Sequence, residues 1–174
     1  MTGKTYTNTT LELIKDFEGR SLTAYEDPKG SGKYSIGYGC QFYENWQRVK
    51  QNDEISAARA NTLLEFHVKA NADYVNRYVT VILNQNQFDA LTSLMYNVGP
   101  GNFTDTYDQV LKAVNEDPND IDAVTKAFTS INFNKNRRLQ EATIYAQGTF
   151  AKTVYNLLYL VLFFLLIYLL RRKQ

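Results

Sequence analysis

Cysteine, histidine and any clear excess of one charge are what this chain has least of. The single cysteine, Cys40, excludes an intramolecular disulfide and leaves the redox compartment open. One histidine, His67, without an HExxH or CxxC string, argues against a zinc amidase or peptidase, and no metal or cofactor is expected. The 19 basic and 18 acidic residues nearly cancel, so no basic signature points to nucleic acid. The balance is uneven along the chain, because residues 151–174 hold Lys152, Arg171, Arg172 and Lys173 and no acid. The first residues, from Met1 to Thr7, lack an apolar run, so no cleavable signal peptide is expected.

What is there concentrates between Phe17 and Gly39: F-E-G-R-S-L-T-A-Y-E-D-P-K-G-S-G-K-Y-S-I-G-Y-G. Leu11, Leu13, Ile14 and Phe17 recur as on a short helix, with Thr9-x-x-Glu12 as a capping box at its start. Glu18 ends that helix and Gly19 fits the position after it. Leu22–Tyr25 reads as a strand, Asp27-Pro28-Lys29-Gly30 as a turn, and Tyr34–Ile36 as the returning strand. A helix end followed by a β-ribbon can set Glu18 and Asp27 on two sides of one cleft. Glycosidic cleavage asks for that arrangement: one carboxylic acid protonates the leaving oxygen while another group directs water. The plainer reading is a hairpin with incidental acids.

The string Glu, eight residues, Asp, a glycine-bearing loop and S-I-G-Y-G resembles the phage T4-lysozyme-like muramidases (endolysins). The resemblance implies that Glu18 is the general acid and that Asp27 and Ser35 place the water. It also implies substrate contacts from Tyr34, Gly37 and Asn97. Two departures stand out: Ser35 replaces the family's Thr, and the loop after Asp27 is two residues longer, around Ser31-Gly32. Cys40 occupies a position where the family commonly has His, and it reads as a small buried residue.

Further along, Gln41–Lys50 reads as a loop. Its Trp46 is either a sugar-stacking platform or a plug on the core, and the plug is the expectation. Asp53–Tyr78 reads as a long helix with an apolar stripe of Ile55, Ala58, Leu63, Phe66 and Ala70, and it resembles the helix that joins the two lobes in the endolysins. His67 within it reads as structural and partly exposed. Asn84 with Gln87 forms a second cap, and Phe88, Leu91, Leu94, Met95 and Val98 make a core face. The string N-Q-F-D-A-L-x-S-x-x-Y-N-V-G-x-G-x-F also resembles the endolysins, and Gly99-Pro100-Gly101 ends that helix near Asn97. Short helices are expected over Asp105–Val114 and Ile121–Phe128, the latter capped by Asp120. The late R-R-x-x-E string, Arg137 to Glu141, resembles a family helix that packs near the catalytic Glu. Arg137 and Arg138 then have two readings: a solvated face, or support for the Glu18 carboxyl by Arg137.

From Val154 to Leu170 the chain carries no charge and one strongly polar residue, Asn156. As a helix this run extends about 26 Å, close to a hydrocarbon core of about 30 Å. Tyr155, Tyr159 and Tyr168 and the Arg171-Arg172-Lys173 run are interfacial anchors, so residues 154–170 are expected to span a membrane once.

The expectation is an α+β, mostly helical lysozyme-like domain over 1–150 with a small hairpin lobe, and a C-terminal membrane anchor over 151–174. It would be a membrane-anchored muramidase acting on peptidoglycan, with its domain facing the wall and other virion or lysis proteins as further partners. The alternative is a non-catalytic peptidoglycan-binding or virion structural protein on the same fold. A pore-forming holin does not explain the folded domain.

Overall fold

The computed structural model describes residues 3–148. Its elements run α1 (Asn8–Glu18), β1 (Ser21–Glu26), β2 (Tyr34–Gly37), α2 (Ala57–Tyr78), α3 (Gln85–Thr104), α4 (Asp108–Glu116) and α5 (Ile121–Ser130). Residues 135–148 form a last helix, α6. A mostly helical body carrying one two-stranded antiparallel sheet matches the α+β class read from the sequence. The expected anchor at 154–170 lies outside the described residues. Among the described residues no helix is long and apolar enough to cross a membrane.

Thr7, not Thr9, caps α1, and a tertiary contact makes the choice. The buried carboxylate of Asp89 on α3 accepts the Thr7 N–H (2.8 Å), the Thr7 hydroxyl (2.6 Å) and the Thr10 hydroxyl (2.7 Å). Glu12 pairs instead with Lys15 at 3.0 Å, so the expected capping box does not form. Leu13 and Ile14 are buried while Leu11 and Phe17 are half-buried. Gly19 closes the helix at φ +66°, a left-handed conformation that glycine enters without steric cost. The chain therefore turns into the hairpin immediately after Glu18.

The long helix starts at Ala57 under a Ser56 cap, four residues later than expected. Residues 53–55 are taken by the hairpin: Ala24 N–H donates to the Asp53 carbonyl and Ile55 N–H to the Leu22 carbonyl, both at 2.9 Å. The buried stripe of α2 is also rotated from the expected one, to Ala60, Leu63, Leu64, Val68, Ala72 and Val75, and Ala58 is exposed. This stripe reaches three apolar groups in turn. Leu63 joins Ile36, Cys40 and Val49 under the hairpin. Leu64 and Val68 join Ile14 and Tyr38. Ala72 and Val75 enter the main helical core with Phe88, Leu91 and Phe103. One helix thus ties the hairpin lobe to the helical lobe, the role that the resemblance implies.

Helix α3 carries the expected Asn84–Gln87 capping box and buries the expected face. It breaks at Gly99 (φ +76°, ψ +159°), and the turn after Pro100 continues to Thr104. Residues 105–107 then form a turn, so α4, expected from Asp105, starts at Asp108 instead. Helix α5 starts at Ile121 under the expected Asp120 cap.

Because Asp89 accepts from two threonines of α1, Asp89→Ala should leave buried donors unpaired and cost about 2–3 kcal/mol. A lowered urea midpoint with an unchanged m-value would show it.

Candidate active site

Glu18, the last residue of α1, points its carboxylate at a guanidinium buried between helices. Glu18 Oε1 lies 2.5 Å from Nη1 of Arg137, whose side chain is 1% exposed against 23% for Glu18. Arg137 Nε donates to Glu141 Oε1 at 3.1 Å, and Nη2 donates to the Ser93 carbonyl at 3.2 Å. Arg138 adds a second cation, donating to Glu141 Oε1 at 3.1 Å and to Asn97 Oδ1 at 3.0 Å. Its Nε sits 3.0 Å from Glu141 Oε2, an ion-pair distance without hydrogen-bond alignment. The Ser93 hydroxyl completes the group at 2.7 Å from Glu141 Oε1.

Both arginines are therefore core residues, and the solvated-face reading is corrected. Formal charge alternates Glu18, Arg137, Glu141, Arg138, so no charge in the row is uncompensated. Burial pushes the Glu141 carboxyl up from its ordinary value, against the pull of Arg138 and Arg137. Desolvation likewise lowers Arg138, against the pull of Glu141.

The second oxygen of Glu18 faces the hairpin lobe. Gly39, at φ +83°, passes so close that a Cβ there would meet Glu18 Oε2 at 3.4 Å. Asp27 follows β1 and is exposed, its N–H donating to the Lys33 carbonyl at 2.8 Å. The longer loop is pinned by Glu26, whose carboxylate accepts the Gly32 N–H at 2.7 Å. Backbone N–H groups of Gly30 and Gly32 hold that carboxyl below its ordinary value.

Ser35 is fully buried, its hydroxyl close enough to the Tyr25 phenol to act on it as a hydrogen-bond partner. It stands opposite Tyr25 in the register. The Tyr25 phenol is raised first by burial, then by the carboxylates of Asp27 and Glu18.

The expected substrate contacts separate. Asn97 lies beside the network, its carbonyl oxygen held by Arg138, with Asn134 at 3.4 Å. Tyr34 does not share the Ser35 side: strand alternation puts it with Ile36, packed on the apolar group under the hairpin. Gly37 is buried at φ +65°, and a Cβ there would touch Ala60 and Ile55 at 3.5–3.6 Å, so packing explains it.

Tyr25 and Glu141 were given no role from sequence. The signals were present: Tyr25 is two residues before Asp27 in an alternating strand, and Glu141 stands i+4 and i+3 from the two arginines.

A cavity of about 360 Å³ opens beside Glu18, lined by Phe17, Asn134, Lys135, Asn136 and Arg137. Larger hollows of about 620 and 600 Å³ lie along α2 and between α5 and α6, away from Glu18, Asp27 and Ser35. Cys40 is buried as expected, with Sγ 3.6 Å from the Tyr96 hydroxyl.

This geometry sits on a chain with clear relatives. The phage lysozyme family model matches residues 15–144. An endolysin of Bacillus phage PZA is 35% identical over 145 residues, 80% of this chain and 54% of that protein. The chain thus spans about half the length of that curated relative. Among solved structures, the endolysin from Escherichia coli O157:H7 phage FAHEc1 superimposes with a TM-score of 0.70 at 32% identity, covering 82% of this chain and 93% of that one. The muramidase domain of SpmX from Asticaccaulis excentricus gives 0.66 at 30% identity, covering 81% and 97%. The chain belongs to the phage lysozyme family.

Arg137→Ala would strip one cation from between two carboxylates, and a loss of about 3 kcal/mol in unfolding free energy is expected. Burial also pushes the Cys40 thiol from its ordinary 9.0 up to about 11. Across that window the unfolded chain has released a proton that the folded chain keeps, so stability falls as pH rises. Unfolding curves at pH 8 and pH 11 should show the wild type losing about 2 kcal/mol more than Cys40→Ala.

Proposed function

We propose that this chain is a peptidoglycan hydrolase that cuts the β-1,4 bond between N-acetylmuramic acid and N-acetylglucosamine. The observation that carries the reading is the Glu18 carboxylate, fixed by a buried arginine through one oxygen and facing the hairpin lobe with the other. Family membership and the muramidase domain among the similar structures support the reaction class. Glu18 delivers its proton to the glycosidic oxygen as the bond breaks. Arg137 holds Oε1 and so limits the carboxyl to one orientation, with Oε2 on the substrate side.

Asp27 and Ser35 direct the water, and attack from the face opposite the leaving group inverts the anomeric carbon. Ser35, opposite Tyr25 in the hairpin register, is the hydroxyl that supports this role. Tyr25, across the strand from it, positions the pair. Asn97, through its amide nitrogen, is the remaining candidate for a sugar contact.

The apolar run at 154–170 supports a second element of the proposal, attachment of the enzyme to a membrane. The basic cluster Arg171-Arg172-Lys173 then favours the cytoplasmic side, leaving residues 1–150 on the wall side. The full chain should sediment with phospholipid vesicles and a chain ending at residue 150 should not. Equal sedimentation would remove the anchor and leave the hydrolase intact.

Glu18→Gln should abolish release of reducing ends from purified peptidoglycan while the protein stays folded, because the amide has no proton to give. More than a few per cent of wild-type activity would remove Glu18 as the acid. Ser35→Thr should be tolerated and Ser35→Ala should lower the rate. Anhydro ends in place of reducing ends would make the reaction a transglycosylation.

A further inference from the structure

The core-plug reading of Trp46 does not survive, because the side chain is 62% exposed. Its backbone is also left-handed, at φ +62°, a conformation that costs a residue with a Cβ about 1–2 kcal/mol. Tryptophan is thus held where it collects little burial and pays for its backbone. The loop around it is well built: Phe42 bridges Arg48, Tyr43 N–H donates to the Gln47 carbonyl and Trp46 N–H to the Tyr43 carbonyl, both at 2.9 Å. Phe66 and His67 of α2 meet the indole edge-on at centroid distances of 5.8 and 6.1 Å, fixing its plane.

From these contacts we propose that Trp46 is the platform of a saccharide subsite that extends the cleft beyond the bond-cleaving residues. The identity of the sugar rests on the hydrolase reading above. An indole held in place and 62% exposed suits the C–H face of a pyranose, whose hydrogens meet the negative quadrupole of the ring. Beside it lies a hollow of about 170 Å³ bounded by Gly39, Gln41, Trp46, His67, Asn71 and Tyr96. Gly39, which lines this hollow, is also the residue whose Cβ would meet Glu18 Oε2 at 3.4 Å, so one residue separates the hollow from the acid.

Polar atoms are available along it. His67 Nε2–H donates to the Phe42 carbonyl at 2.7 Å, which leaves Nδ1 as an acceptor. Asn71 Nδ2 donates to the His67 carbonyl at 2.8 Å, which leaves Oδ1. These acceptors match the hydroxyl and N-acetyl N–H donors of an amino sugar.

Trp46 is the single tryptophan of the chain, so intrinsic fluorescence reports this site alone. The full chain with Glu18→Gln, which binds without cutting, is titrated with soluble oligomers of alternating N-acetylglucosamine and N-acetylmuramic acid. A saturable change in fluorescence is expected, with the calorimetric midpoint matching it. Adding Trp46→Ala should weaken calorimetric binding about five- to ten-fold, and Trp46→Tyr should restore most of it, with equal unfolding midpoints for all. Binding by calorimetry without a fluorescence change, equal affinity in Trp46→Ala, or no binding at all would each overturn the subsite. Release of reducing ends by the chain with native Glu18 is measured separately, so a failed hydrolase and a failed subsite are told apart.

Discussion

A guanidinium removed from water must be met by carboxylates and carbonyls brought to it, and in this chain that demand falls on Arg137. Glu18 comes from the end of α1, Ser93 from the middle of α3 and Glu141 from α6 itself. Three helices therefore converge on one ion, and Arg138 and Asn97 extend the row. Breaking such a set is far costlier than its net contribution to stability, because each removal leaves a charge without solvent or partner. The network is thus better understood as fixing position than as adding stability. What it fixes is the one carboxylate of the row that reaches solvent.

The rest of the architecture follows from keeping that carboxylate at the boundary of two lobes. Gly19 turns the chain at once, so the hairpin starts beside the acid instead of a helical turn away. Asp89 clamps the start of α1 to α3, and the network clamps its end. Helix α2 carries both lobes on one stripe, so the hairpin cannot move without disturbing Leu63 and Leu64. Gly39 lets the backbone pass close to the free oxygen of Glu18.

Much of this was legible from residue order. Period and caps gave α1, the hairpin, α3 with its Asn84–Gln87 box, and α5 with Asp120, because those signals are local. The start of α2 differs from the sequence reading because Asp53 and Ile55 pair with β1 across 29 and 33 residues, which no local window contains. The cap of α1 was misplaced for the same reason, since Asp89 selects Thr7. Arg137 against Glu18 was legible only through family resemblance, because charge alone is compatible with a wet surface. The motif points Tyr34 and Gly37 at the substrate, whereas strand alternation and the contact with Ala60 turn them toward packing. Trp46 reads as a plug because large aromatics are usually buried, and nothing in the sequence marks its left-handed backbone.

The central claim is that Arg137 and Glu18 act as one unit. It is tested most directly by a double-mutant cycle of Glu18→Gln and Arg137→Lys on unfolding free energy at neutral pH. The account predicts that the two losses do not add, with a coupling of about 1.5 kcal/mol or more. Additivity within about 0.5 kcal/mol would contradict it, leaving the carboxylate held by something other than the buried arginine.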